Sequence, residues 1–253
     1  MANPALSNNP AFKKGSTVSA AQLEELYERP AASPADTGRM TYEDTAVKTV
    51  VLFAVLLATS AVGWFIPALA IVGALVGFVL AMVNTFKREP SVPLIVLYAA
   101  AEGLFVGGIS QFFDQRWNGI PLQAVLATLV TVGVTLALFA SGKVRASAKA
   151  TKIFLIAMVS YLVFQLVNVV LSLTGVVTGP FGLQSGIVGI LIGVAVVIMA
   201  AYSLVLDFDQ IQQGVRRGIP ARYGWTGAFG IMVTVVWLYI EFLRLIAILR
   251  GSN

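Results

Sequence analysis

Asp207 and Asp209 stand in "IMAAYSLVLDFDQIQQGVRRG", directly after 21 residues without a charge, Gly186–Leu206. Two more acids lie inside apolar runs: Glu102 in "YAAAEGLFVGG" and Glu241 in "VVWLYIEFLRLI". Carboxylates can hold protons, attract cations or work in pairs. The chain has neither histidine nor cysteine. That excludes disulfides, thiolate nucleophiles, imidazole metal sites and Ser–His relays, and leaves carboxylates as the side chains able to answer a pH change near neutrality. A carboxylate at mid-membrane costs roughly 2.5–3.5 kcal/mol on insertion scales, so it is expected to face a partner or a water-filled path.

Lipid is the solvent the remaining residues require. Of 253 residues, 58% are hydrophobic and 11% charged, whereas a soluble domain carries about a quarter of charged residues. Runs of about 20 apolar residues predict an all-α membrane protein, a seven-transmembrane-helix bundle. The spans are Thr49–Pro67, Ala68–Phe86, Val92–Phe113, Leu122–Ala140, Ile153–Leu173, Gly186–Leu206 and one within Trp225–Leu249. Pro67 in "WFIPALA" predicts a very tight turn between the first two. Fourteen of the 17 basic residues fall before span one or in every second loop after it, which predicts a cytoplasmic N-terminus and, with an odd span count, an outside C-terminus. The net charge of +5 thus reports topology and implies no nucleic-acid partner. The glycine pairs 73/77, 103/107 and 189/193 predict close helix packing.

Residues 1–45 read as a disordered cytoplasmic tail. Within them "SAAQLEELYERP" has room for a short helix, opened by a Ser19…Gln22 capping box and stopped by Pro30. Residues 46–253 form the transmembrane domain.

Two residues apart, Asp207 and Asp209 point to nearly opposite sides of a helix. One can face the bundle while the other faces the headgroups beside Arg216 or Arg217. The inward one must find a second acid on another helix, and Glu241 and Glu102 are the candidates. Plainer roles exist for each: Glu241 and Arg244 have the spacing of an intrahelical ion pair, Asp209 that of a solvated helix end, and Lys87 and Arg88 that of a cytoplasmic anchor.

"LVLDFDQIQQGV" followed by "WLYIEFLRL", with "AEGLF" in span three, resembles the transmembrane Bax inhibitor motif (TMBIM) family, within it the bacterial Bax inhibitor-1/YccA-like branch. The resemblance covers roughly residues 42–249. It implies a bundle with the last helix central, in a bacterial plasma membrane, and a pH-sensitive calcium leak channel gated by a proton-sharing carboxylate pair. The family's Asp-x-x-Gln-Ile pattern matches Asp207 to Ile211, its span-seven acid matches Glu241 (Glu where Asp is common), and its basic latch falls on Lys87 or Arg88. Asp207 and Glu241 then form the ion pathway and pH sensor and hold Ca2+ transiently at most, with Asp209 and Glu102 as secondary acids.

No enzyme activity and no cofactor are expected. A Gly-x-Gly-Asp motif for an intramembrane aspartyl protease is missing from the spans, as is a span-seven lysine for retinal. The expected partners are the lipid bilayer and calcium ions. The alternative is a non-conducting interaction protein that regulates a membrane protease or a stress or cell-death response through a membrane protein partner. A proton-coupled carrier of another solute would use the same acids.

Overall fold

The computed structural model describes residues 38–179 and 181–251, all within one compact unit, Gly38–Asn253. The tail expectation for residues 1–37 lies outside the described residues. Seven helices are long and apolar enough to cross a membrane: α1 (Tyr42–Phe65), α2 (Leu69–Phe86), α3 (Val92–Arg116), α4 (Ile120–Ala140), α5 (Ala148–Leu173), α6 (Gly186–Arg217) and α7 (Gly224–Gly251). No strand occurs among the described residues, and the single β-bridge joins Arg39 to Pro220. Three residues connect α1 to α2, the tight turn that Pro67 predicts.

Local chemistry sets the helix ends. Thr41 Oγ1 accepts the Asp44 N–H at 3.0 Å, and Glu43 and Asp44 occupy the first turn of α1, where carboxylates complement the helix dipole. Prolines begin α3 and α4, where a missing N–H costs nothing. Gly218, at φ +61°, closes α6 in the left-handed conformation that favours glycine.

Helices outrun the hydrophobic runs that announce them. α1 begins at Tyr42, inside the segment read as tail, α5 begins at Ala148, and α6 continues to Arg217, well past Leu206. Hydropathy marks where lipid ends, not where backbone hydrogen bonding ends. Polar side chains four apart carry the extensions: Lys48 on Asp44, Gln213 on Asp209 and Arg217 on Gln213. The 32 residues of α6 make a rod about 48 Å long at 1.5 Å per residue, against a hydrocarbon core of about 30 Å.

α7 is the central element. It packs against α1, α3, α4 and α6 and is the most buried span. Leu52, Ala99, Ile120, Met232 and Leu243 in its surrounding core are fully enclosed. α1, α2 and α3 form a tight group through glycine. A Cβ on Gly73 would stand 2.6 Å from the Ala101 carbonyl oxygen, and one on Gly103 or Gly107 would collide with Thr59 or Ser60. α5 is the outlier: it has no buried residue and touches chiefly α6.

Candidate functional site: an acid in the seam of the last two helices

The turn between α6 and α7 positions the site. It contains a 3-10 turn, Ala221–Tyr223, and is tied down from three sides. The Met40 N–H donates to the Ile219 carbonyl and the Ala221 N–H to the Gly38 carbonyl, both at 2.8 Å. Lys48 Nζ donates to the Ala221 carbonyl at 2.7 Å and to Asp44 at 2.5 Å. Arg222 grips Glu89 with two contacts of 3.1 and 3.2 Å. So held, α7 runs back antiparallel to α6, and Asp207 comes to lie opposite the second and third turns of α7.

Asp207 faces the bundle and Asp209 does not. The Asp207 Oδ2 accepts the Thr234 hydroxyl at 2.7 Å, and Thr234 Oγ1 lies 3.3 Å from Ser203 Oγ. Gly230 leaves room for the other oxygen, since a Cβ there would stand 3.1 Å from Asp207 Oδ1. Beside the carboxylate is a cavity of about 140 Å3, lined among others by Met40, Gln210, Tyr223, Thr226 and Gly227. No ion pair reaches Asp207 among the described residues. Asp209, on the outer side of α6, accepts from Gln213 at 2.6 Å, and Gln213 accepts from Arg217.

Glu241 is elsewhere. It is 3% exposed, forms an ion pair with Arg244, and lies against Tyr161 of α5 and Gly193 of α6. Gln165 and Gln184 extend this polar group. Asp207 and Glu241 therefore do not form the expected proton-sharing pair. Glu241 is seven residues beyond Thr234 in one unbroken helix, about 10 Å further along the axis. α7 starts at once after the turn, so nothing brings its later half back to Asp207's level.

The other candidates separate as well. Glu102 lies in the α2–α3 seam, its carboxylate over Gly77 and its nearest polar neighbour Tyr98. Lys87 and Arg88 are exposed, and no hydrogen bond or ion pair joins either to Asp207. At this rim the cations that do bind across elements are Lys48 and Arg222. Among the described residues no three acids gather into a group able to hold a metal ion.

Sequence reasoning passed over Thr234, Ser203 and Gly230 as site residues. A threonine inside the apolar run "GIMVTVVWLY", four residues after a glycine, was the signal available.

A bundle of seven apolar helices with a carboxylate in the seam of its last two defines a multi-pass membrane protein with an ionisable group at the lipid edge. The chain belongs to the Bax inhibitor 1 like family, whose sequence profile matches residues 3–251, and so to the wider TMBIM group that the span-six and span-seven motifs resemble. No curated protein matches the chain.

Proposed function

We propose that the chain is a pH-sensitive cation leak of the Bax inhibitor type, with calcium as the permeant ion, set in a bacterial plasma membrane with its N-terminus in the cytoplasm. The observation that carries this reading is the Asp207 carboxylate, held in the α6–α7 seam without a cationic partner among the described residues and open to a cavity. Membership of the family supports it.

In this reading Thr234 takes the place of the second acid. The ionised Asp207 accepts the Thr234 hydroxyl. Once protonated, Asp207 can donate, and the Thr234 hydroxyl is free to turn towards Ser203, 3.3 Å away. The seam thus has two hydrogen-bonding arrangements, and a proton selects between them. When ionised, the acid also favours cations over anions at the mouth of the path. Calcium prefers six to eight oxygen ligands. One carboxylate, the Gln210, Tyr223 and Thr226 side chains and water suit brief passage better than storage.

The test is calcium efflux from liposomes holding the purified protein, from about pH 5.5 to about pH 8. Asp207→Asn should flatten the pH response, whereas Asp209→Asn should leave it in place. An Asp207→Asn profile that follows the wild type removes Asp207 from the mechanism. Liposomes that hold their gradient at every pH favour the non-conducting interaction protein.

A further inference from the structure

The seam between α6 and α7 changes character along its length. At the Asp207 level it is polar, with the Asp207, Thr234 and Ser203 oxygens in a connected row. At the Glu241 level it is polar again, with Arg244 and Tyr161 about the carboxylate. Between them stands an apolar layer. Ala200 and Leu204 of α6 pack on Leu238 of α7, and all three are 0% exposed. Phe208 of α6 belongs to the same cluster, Phe139 of α4 packs on it with ring centroids 5.8 Å apart, and Val132 of α4 lies against the cluster from the side. The spacing follows from the helix: Thr234, Leu238 and Glu241 are four and three residues apart, so they share one face of α7, and Asp207, Leu204 and Ala200 likewise share one face of α6.

From this geometry we infer that the Ala200–Leu204–Leu238 layer is the permeability barrier of the protein, a dry septum between a cytoplasmic station at Asp207 and an outer station at Glu241. The inference rests on the leak reading for its physiological sense, but the barrier is a property of the seam in its own right. An ion moving along the seam loses water among these apolar side chains, while on either side it meets carboxylate and hydroxyl. The septum spans the stretch from Thr234 to Glu241, about 10 Å, which is enough to break a water file. It also holds the two ionisable groups apart along one seam. Conduction requires the layer to wet or its two helices to part, and the hydrogen-bond switch at Thr234 lies one helical turn from Leu238.

A polar group placed in the layer should remove the barrier. Leu238→Asn is expected to raise calcium efflux at fixed pH at least about tenfold, and Leu238→Ile, which keeps the layer apolar, to stay near the wild-type rate. Ala200→Ser adds a single hydroxyl at the same level and serves where Leu238→Asn does not reconstitute. It is expected to raise efflux in the same direction by a smaller factor. Efflux unchanged from wild type in the polar variants that reconstitute overturns the septum, as does an equal rise in Leu238→Ile. These outcomes differ from failure of the leak reading, in which wild-type liposomes retain calcium at every pH. Polar variants that then open a flux still support the septum, and polar variants that remain tight still overturn it.

Discussion

Two acids on neighbouring helices have opposite surroundings, and the contrast sets their roles. Asp207 is met by a neutral hydroxyl and a cavity, so no cation among the described residues compensates its charge. Glu241 is enclosed with Arg244, whose side chain is only 11% exposed. Removing one partner of such a pair strands the other charge and costs about 3–5 kcal/mol, while removing both can be nearly neutral. Glu241→Gln alone should therefore lower the thermal stability of the purified protein sharply, and Glu241→Gln with Arg244→Met should recover most of it. A midpoint of unfolding that falls further in the double variant than in the single one would show that the pair is not the unit. The Glu241–Arg244 pair was legible from the spacing of three in the sequence. The Thr234 contact was not, because a hydroxyl in an apolar run carries no charge to attract notice and its partner lies 27 residues away.

The elements were the most legible part of the molecule. A bilayer imposes a minimum apolar length, so seven runs gave seven helices. The same principle blurs their ends: hydropathy has no information about helix that continues in water, which is why α6 extends to Arg217 and α1 back to Tyr42. That extension also decided the fate of the Asp207–Glu241 pair, whose register depends on where α7 restarts after the turn. Glycines give a test of packing at this scale. A Cβ on Gly107 would run into the Ser60 carbonyl, whereas nothing lies within 4 Å of one on Gly133. Gly107→Ala should force α1 and α3 apart and cost about 1–3 kcal/mol. Gly133→Ala should be neutral or gain about 0.5–1 kcal/mol from helix propensity. Thermal unfolding in the same detergent compares the two, and equal effects would contradict the packing of the α1–α3 seam.

For the whole molecule, the distribution of lysine and arginine predicts an orientation that can be tested directly. The absence of cysteine gives a clean background for single thiols. A membrane-impermeant maleimide should label Lys143→Cys, in the loop after α4, from the cytoplasmic face alone, and Asn118→Cys, in the loop before it, from the opposite face alone. The reverse pattern would invert both the topology and the sidedness of the two acid stations. Under the predicted orientation the Lys48 and Arg222 contacts would clamp the cytoplasmic end of the bundle, and Glu241 would belong to the outer half. The seven helices were legible in the sequence, but not which seam each acid enters, because that depends on side-chain contacts between residues distant in the chain.

The sparse packing of α5 has a practical consequence. A helix with no buried residue is kept in place by acyl chains, by its two loops and by a few contacts, among them Tyr161 at Glu241 and Thr151 and Phe154 at Tyr202. Short-chain surfactants that replace those acyl chains poorly should let it swing away, exposing the Tyr161 and Gln165 side of the Glu241 group to water while the rest of the bundle stays intact. Flux measured after such extraction would then describe a six-helix core with its seventh member adrift, and a lipid nanodisc is the setting in which the surroundings of Glu241 should keep their shape.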